Sequence, residues 1–426
     1  MVEETFAAFS KELQVSKRLL LTELFATAEP AFAADGFREE RDVRSILLVR
    51  LDVIGDMVMT SALIRELRRN YPQARFDVIT SPLVKPMLEV CPYVDKVYEF
   101  DRFCFLGPGN MVPGFLKMLD LCRKSLWPQH YDLAICPEWS GNKADVMLLL
   151  YLSGARRRMA FDQVIWGKVY MPGVIISPAD EDFQRSLQIE ACLTPPEIVH
   201  EALRPLHFLT LLGLKAESDA LEVWLCERDR ARARRWLFPY RDSFLVTLGL
   251  GAGSVERRYP VESYRDAIER IIEKYPATRF VVLGGAAEQE EGQYLAQAFP
   301  PGQVIDLTRQ TTIRESAAVV AETELYLGND TGLMHIAAAL KRPVILVCRE
   351  AQEWQPRYPG VSSALARYFP WQTRSLVLRP LHPLGDCATL GSYGGCEAGK
   401  PHCITQIPPE ALVRAFDEMM TMCGIR

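Results

Sequence analysis

The strongest constraint on the fold is a strand, turn, helix, strand scheme that occurs twice. In the first copy Ser45 to Leu51 reads as a strand, Asp52 to Asp56 as a Gly-containing turn and Met57 to Asn70 as a helix. Tyr71-Pro72-Gln73-Ala74-Arg75-Phe76-Asp77-Val78-Ile79 then leads into the next strand. In the second copy Ser243 to Leu248 is a strand, Gly249 to Ser254 a glycine turn and Val261 to Lys274 a helix, followed by Tyr275-Pro276-Ala277-Thr278-Arg279-Phe280-Val281-Val282-Leu283. Strands alternating with helices of this length form parallel βαβ units, so the chain is predicted to be α/β with two doubly wound, Rossmann-like halves. A length of 426 residues, 49% of them hydrophobic, accommodates both cores.

The remaining sequence divides around these blocks. Residues 1–44 are expected to be an amphipathic helix and a linker, with Phe6, Phe9, Leu13, Leu20 and Leu24 at helical intervals before Pro30. Residues 45–225 make the first domain, and 226–242 an Arg-rich helical connector carrying Arg230, Arg232, Arg234 and Arg235. Residues 243–407 make the second domain, including a Cys-containing loop over 382–404, and 408–426 a closing helix opened by proline. The stretch from Arg349 to Gly399, rich in Pro, Gly and aromatics, is expected to be irregular.

Charge and hydropathy exclude several classes of function. Forty-nine basic against 54 acidic side chains leave a formal charge of −5, which argues against a protein that grips nucleic acid through its phosphates. Apolar stretches are strand-length and broken by charge, far short of the roughly 20 residues that cross a bilayer. The charged start lacks the apolar core of a secretion signal, so a cytoplasmic location is expected. Most of the cysteines stand singly among apolar neighbours and are read as buried thiols rather than a disulfide framework.

Three glycine-containing strand ends carry the candidate chemistry of the second half. Gly249-Leu250-Gly251-Ala252-Gly253-Ser254 precedes Arg257 and Arg258; its glycines allow backbone N–H groups to approach a diphosphate and an arginine supplies charge-assisted bonds. Leu283-Gly284-Gly285-Ala286-Ala287-Glu288 ends the next strand and sets a carboxylate where a ribose would lie. Gly328-Asn329-Asp330-Thr331-Gly332 closes a third strand just before an Ala-rich helix bearing His335, the outline of a helix N-terminal anion site or of a plain cap by Asp330 or Thr331. In the first half, Gly55-Asp56 lies at a strand–helix junction, where a carboxylate could take a proton from an acceptor hydroxyl or simply cap the helix. No Gly-x-Gly-x-x-Gly dinucleotide fingerprint and no Walker loop occur.

Together, Ile46 to Thr60, Arg257-Arg258-Tyr259-Pro260, Gly284 to Glu288 and Asn329 to His335 resemble glycosyltransferase family 9, the heptosyltransferases of lipopolysaccharide assembly and their relatives. The resemblance covers roughly residues 45–415. It implies a GT-B fold with a cleft between the two Rossmann-like domains, an acceptor on the N-terminal half and an ADP-sugar donor on the C-terminal half. By position it implies Asp56 as general base, Asp330 as the donor-sugar contact and Glu288 as the nucleoside contact. Thr331, Gly332 and His335 would flank the diphosphate beside Gly251 and Gly253, with Arg257 where the family often carries a lysine. The implied reaction is inverting transfer, without a metal in catalysis, of a heptose or related sugar to a lipopolysaccharide-core or protein hydroxyl, in the cytoplasm with peripheral contact at the inner membrane.

The cysteine loop is a separate expectation. Cys387, Cys396 and Cys403 lack the close Cys-x-x-Cys pair of a typical zinc site. Some family relatives that glycosylate autotransporter proteins bind iron through C-terminal cysteines, so a structural iron or zinc is a candidate here, and homo-oligomerisation through the N-terminal helix another. A nucleotide-sugar epimerase and a non-catalytic nucleotide-sugar-binding protein are the alternatives; the first would need acid and base groups beyond Asp56.

Overall fold

A computed structural model describes residues 43–105, 110–139, 144–161, 189–192, 194–195, 197–355, 363–385 and 398–424. The expected N-terminal amphipathic helix, and Cys387 and Cys396, lie outside the described residues.

Each half is built on a six-stranded, wholly parallel sheet. The first contains β1 (Ser45–Arg50), β2 (Arg75–Thr80), β3 (Lys96–Glu99), β4 (Leu133–Cys136), β5 (Arg157–Phe161) and β6 (Glu190–Cys192), in the order β3-β2-β1-β4-β5-β6. The second contains β7 (Phe244–Gly249), β8 (Thr278–Leu283), β9 (Val304–Asp306), β10 (Leu325–Asn329), β11 (Val344–Val347) and β12 (Ser375–Leu378), in the order β12-β11-β10-β7-β8-β9. Both orders are the doubly wound 3-2-1-4-5-6 arrangement, the second read from its other edge. The connections reverse direction between β1 and β4 in one sheet and between β7 and β10 in the other. Ligands of such sheets bind outside the carboxyl ends of the strands at these switch points.

The strands read as continuous apolar runs because helices cover both faces. In β1 all six residues are buried, and so are Leu245 to Gly249 of β7. The helix Val261–Lys274 buries Tyr264, Ala267, Ile268, Ile271 and Ile272, one face of a 3.6-residue period, into the second core. The closing helix Pro409–Met422 adds Leu412, Phe416 and Met419 to that core, and Asp417 fastens it by accepting from Lys274 Nζ at 2.7 Å and Tyr275 OH at 3.0 Å.

The segment expected to be irregular after Arg349 contains the short helix Ala364–Tyr368 and the edge strand β12, which pairs with β11 from Val344↔Ser375 to Val347↔Leu378. Its four residues are only half-buried, so the apolar signal of an inner strand is weak. The helix expected from Met57 begins at Ile54, placing Asp56 in its first turn.

The chain divides into two compact units. One comprises Met1–Asp52, Leu63–Pro196 and Leu206–Glu217; the other Val53–Ala62, Glu197–Pro205 and Ser218–Arg426. The start of the helix Ile54–Asn70, with Gly55 and Asp56, therefore belongs to the same unit as β7 to β12.

Candidate active site

The second unit brings its strand ends together at the β7/β10 switch point. Gly328 lies opposite Gly249 in the register, and a Cβ on Gly328 would strike the Gly249 backbone, so the two strand ends approach at a distance only glycine allows. Asn329, fully buried, then ties them: its Nδ2 donates to Leu250 O at 2.5 Å, while its Oδ1 accepts from Tyr264 OH at 2.8 Å and Tyr259 N–H at 3.2 Å. Tyr259 in turn donates to Ile407 O at 2.7 Å, and burial pushes its phenol up to about 12, so it stays a donor. Asn329 is a structural residue of the site whose role sequence reasoning missed; an amide between a buried strand and a helix start was the available signal.

Past Asn329 the chain turns into the helix Gly332–Ala339. Thr331 is its N-cap, its hydroxyl oxygen accepting from Leu333 N–H at 3.1 Å, so of the two candidate caps Thr331 takes the part and Asp330 is left facing Arg257. Arg257 Nη1 donates to Asp330 Oδ2 at 3.3 Å, and its Nε to Ser254 Oγ at 3.2 Å. Gly251 and Gly253 lie in the same loop after β7. A cation, a carboxylate and a helix N-terminus thus meet at one strand end, suited to hold a diphosphate and an attached hydroxylated group.

The base candidate sits against this helix. A Cβ on Gly332 would come within 2.8 Å of Ile54 Cβ, and one on Gly55 within 2.7 Å of His335 Cδ2, so the first turn of Ile54–Asn70 packs directly on the helix that follows Asp330. Asp56 is half-buried in that turn, and its backbone carbonyl accepts from Thr60 Oγ1 at 2.8 Å. The position near a helix N-terminus favours the ionised carboxylate. His335 is almost wholly buried, with Asp330 Oδ1 3.8 Å from its Nε2 and the Tyr368 ring edge-on at 6.3 Å. Burial lowers its pKa to about 4; Asp330 opposes the shift while His200 and Arg257 add to it. The imidazole is therefore neutral at neutral pH, and positive charge at this strand end comes from Arg257 and the helix N–H groups.

Glu288 stands at the end of β8, accepting from Gly285 N–H at 2.8 Å and from Arg258 Nη2 at 2.6 Å. The sequence singled out Arg257 but not Arg258, whose side chain turns the other way. Of the three candidate metal ligands only Cys403 is described; it is buried and its Sγ accepts from Leu384 N–H at 3.4 Å. Among the described residues no cluster of His, Cys, Asp and Glu is arranged to hold a metal.

In the first unit the strand ends at the β1/β4 switch point carry a charged network that the sequence did not reveal. Arg102 forks onto Asp145 at 3.0 Å through Nε and Nη2, and reaches Glu138 at 2.8 Å and Asp52 at 3.5 Å through Nη1. Arg50 holds the other side of Asp52 at 3.1 Å and donates to Pro137 O at 2.6 Å. Burial raises the Asp145 pKa against the pull of Arg102; for Arg102 burial works downward but Glu138 and Asp145 carry it above its ordinary value. This network fixes Asp52, four positions before Asp56 in the chain.

Two six-stranded doubly wound sheets are the architecture of the GT-B fold, and solved structures agree. The glycosyl transferase family 9 structure from Veillonella parvula superposes with a TM-score of 0.67 at 17% identity, covering 91% of this chain and 100% of that one. The E. coli ADP-heptose lps heptosyltransferase II gives 0.64 at 17% identity, covering 89% and 99%. Residues 198–356 match the model of glycosyltransferase family 9 (heptosyltransferase), and lipooligosaccharide heptosyltransferase 2 of Haemophilus influenzae is 26% identical over 385 residues, 88% of this chain and 99% of that protein. In sequence the chain is thus similar to glycosyltransferase family 9, and in fold to its solved members.

Proposed function

We propose that the protein transfers a heptose, or a closely related sugar, from an ADP-sugar to a hydroxyl of a lipopolysaccharide core. The observation that carries the reading is the packing of Ile54 and Gly55, immediately before Asp56, on the Gly332–Ala339 helix that follows Asp330, all within one compact unit. Asp56 removes the proton of the acceptor hydroxyl as its oxygen attacks the anomeric carbon, and the bond to the diphosphate breaks on the opposite face, giving inversion. Asp330 grips the sugar hydroxyls; Thr331, Gly332 and the loop of Gly251 and Gly253 line the diphosphate beside Arg257, which stabilises the departing charge. Glu288 meets the nucleoside.

The lipooligosaccharide relative supports a lipid-linked acceptor over a protein one, and a cytoplasmic enzyme working at the inner-membrane surface suits such an acceptor. No described helix is long and apolar enough to cross a membrane. The test supplies ADP-heptose and heptose-deficient lipopolysaccharide, follows ADP release, and assigns the product anomer by NMR. Transfer with inversion that disappears in Asp56→Asn supports the reading; retention of configuration, or full turnover in that variant, overturns it. A structural metal on Cys387, Cys396 and Cys403 is a subsidiary proposal, removed if the purified chain carries only trace iron and zinc.

A further inference from the structure

We infer that Arg258 is a positioning residue for nucleotide recognition: it locks the Glu288 carboxylate at the end of β8 in the one orientation that accepts from a ribose diol. The inference rests on the ADP-sugar reading above and assigns a part to a side chain that reading does not use.

Glu288 closes the short turn Ala286–Glu288 after β8, the second strand of its doubly wound sheet, where an acidic residue meets the ribose in nucleotide-binding folds. Its side chain is enclosed on several sides. Oε2 accepts from Gly285 N–H at 2.8 Å and Oε1 from Arg258 Nη2 at 2.6 Å. A Cβ on Gly251 would stand 3.0 Å from Oε1, and one on Gly284 2.7 Å from Glu288 Cβ, so the two glycine loops leave room for this rotamer and little more. A carboxylate oxygen has more than one acceptor site, so Glu288 keeps acceptor capacity after both bonds are made.

Arg258 also separates two acids. Its Nη1 lies 3.6 Å from Glu291 Oε2 and donates to Ala287 O at 3.3 Å. Glu291 has its pKa raised, first by burial and then by Glu288, with Arg258 opposing. Without the guanidinium, Glu288 and Glu291 would face each other uncompensated, and the Glu288 side chain would turn away. Adjacent arginines thus serve opposite ends of the donor: Arg257 faces Asp330, and Arg258 faces Glu288.

The test measures binding of ADP and of 2′,3′-dideoxy-ADP by calorimetry. The wild-type protein is expected to prefer ADP by about tenfold or more, the worth of a hydrogen bond to a charged group. Arg258→Met should bring that ratio close to one, Arg258→Lys should restore part of it, and adding Arg258→Met to Glu288→Gln should leave the ratio of the single Gln variant unchanged. A ratio that survives in Arg258→Met while both ligands weaken equally overturns the positioning role, as does a further drop in the double variant. Failure of the wild-type protein to bind ADP overturns the ADP-sugar reading itself and this inference with it.

Discussion

The two sheets share one strand order and differ in what fills their carboxyl ends. At the β1/β4 switch point side chains fill the space: Arg50, Arg102, Asp52, Glu138 and Asp145 bind one another. At β7/β10 and the neighbouring end of β8 the ends are glycines and short loops, with Asp330 facing Arg257 and Glu288 facing Arg258. The same topology thus supports a braced end, where side chains bind one another, and an end of glycine loops, where backbone N–H groups can meet an anion. Strand order creates the place; side-chain volume decides whether it is used for bracing or for binding.

The comparison is tested most sharply at its junction. Asp56→Asn should lower kcat by about a thousandfold, within the range for loss of a general base, with ADP affinity little changed; a variant that loses ADP binding in the same proportion would make Asp56 a donor contact instead. Next in size is the brace. Arg102→Met removes the cation from among three carboxylates and should cost about 3 kcal/mol in urea unfolding, as breaking a buried pair does; a loss below 1 kcal/mol would mean the network is solvated and the contrast overstated.

The glycine-loop end should show itself through pH. His335 has its pKa depressed from 6.5 to about 4 by burial, so the unfolded chain binds a proton that the folded one refuses. Its stabilising contribution is present above pH 6.5 and is lost as pH falls toward 4, roughly 3 kcal/mol in total. Thermal melts of wild type and His335→Gln across that window should converge in acid, and parallel curves would refute the assignment. The smallest effect is expected from Gly328→Ala, whose Cβ meets the Gly249 backbone: about 2 kcal/mol of overpacking, seen as a lowered Tm, with weaker ADP binding as the strand ends part.

Much of the architecture was legible because it is local. The apolar period gives the bounds of the Val261–Lys274 helix, and the apolar runs locate the strands feeding both switch points to within one residue at each end. Thr331 as a cap follows from a hydroxyl two residues before the N–H it accepts. Less legible were β12, whose residues are half-buried at a sheet edge, and the start of Ile54–Asn70, whose first turn is held by packing rather than by a side-chain signal. Arg258 could not be told from Arg257 in sequence, since two adjacent arginines read alike until the backbone points them apart.

By itself, the sequence determined the two parallel βαβ blocks, the glycine-bearing strand ends and the charged residues beside them, because these depend on periodicity and on short-range stereochemistry. Only the tertiary structure decided that Gly55 meets His335, that Asn329 ties β10 to the loop after β7, that Arg102 gathers three carboxylates and that Arg258 holds Glu288. Each joins residues far apart in the chain or distinguishes neighbours that sequence treats as equal. Such choices follow from steric fit and burial, and those exist only once the sheets are closed.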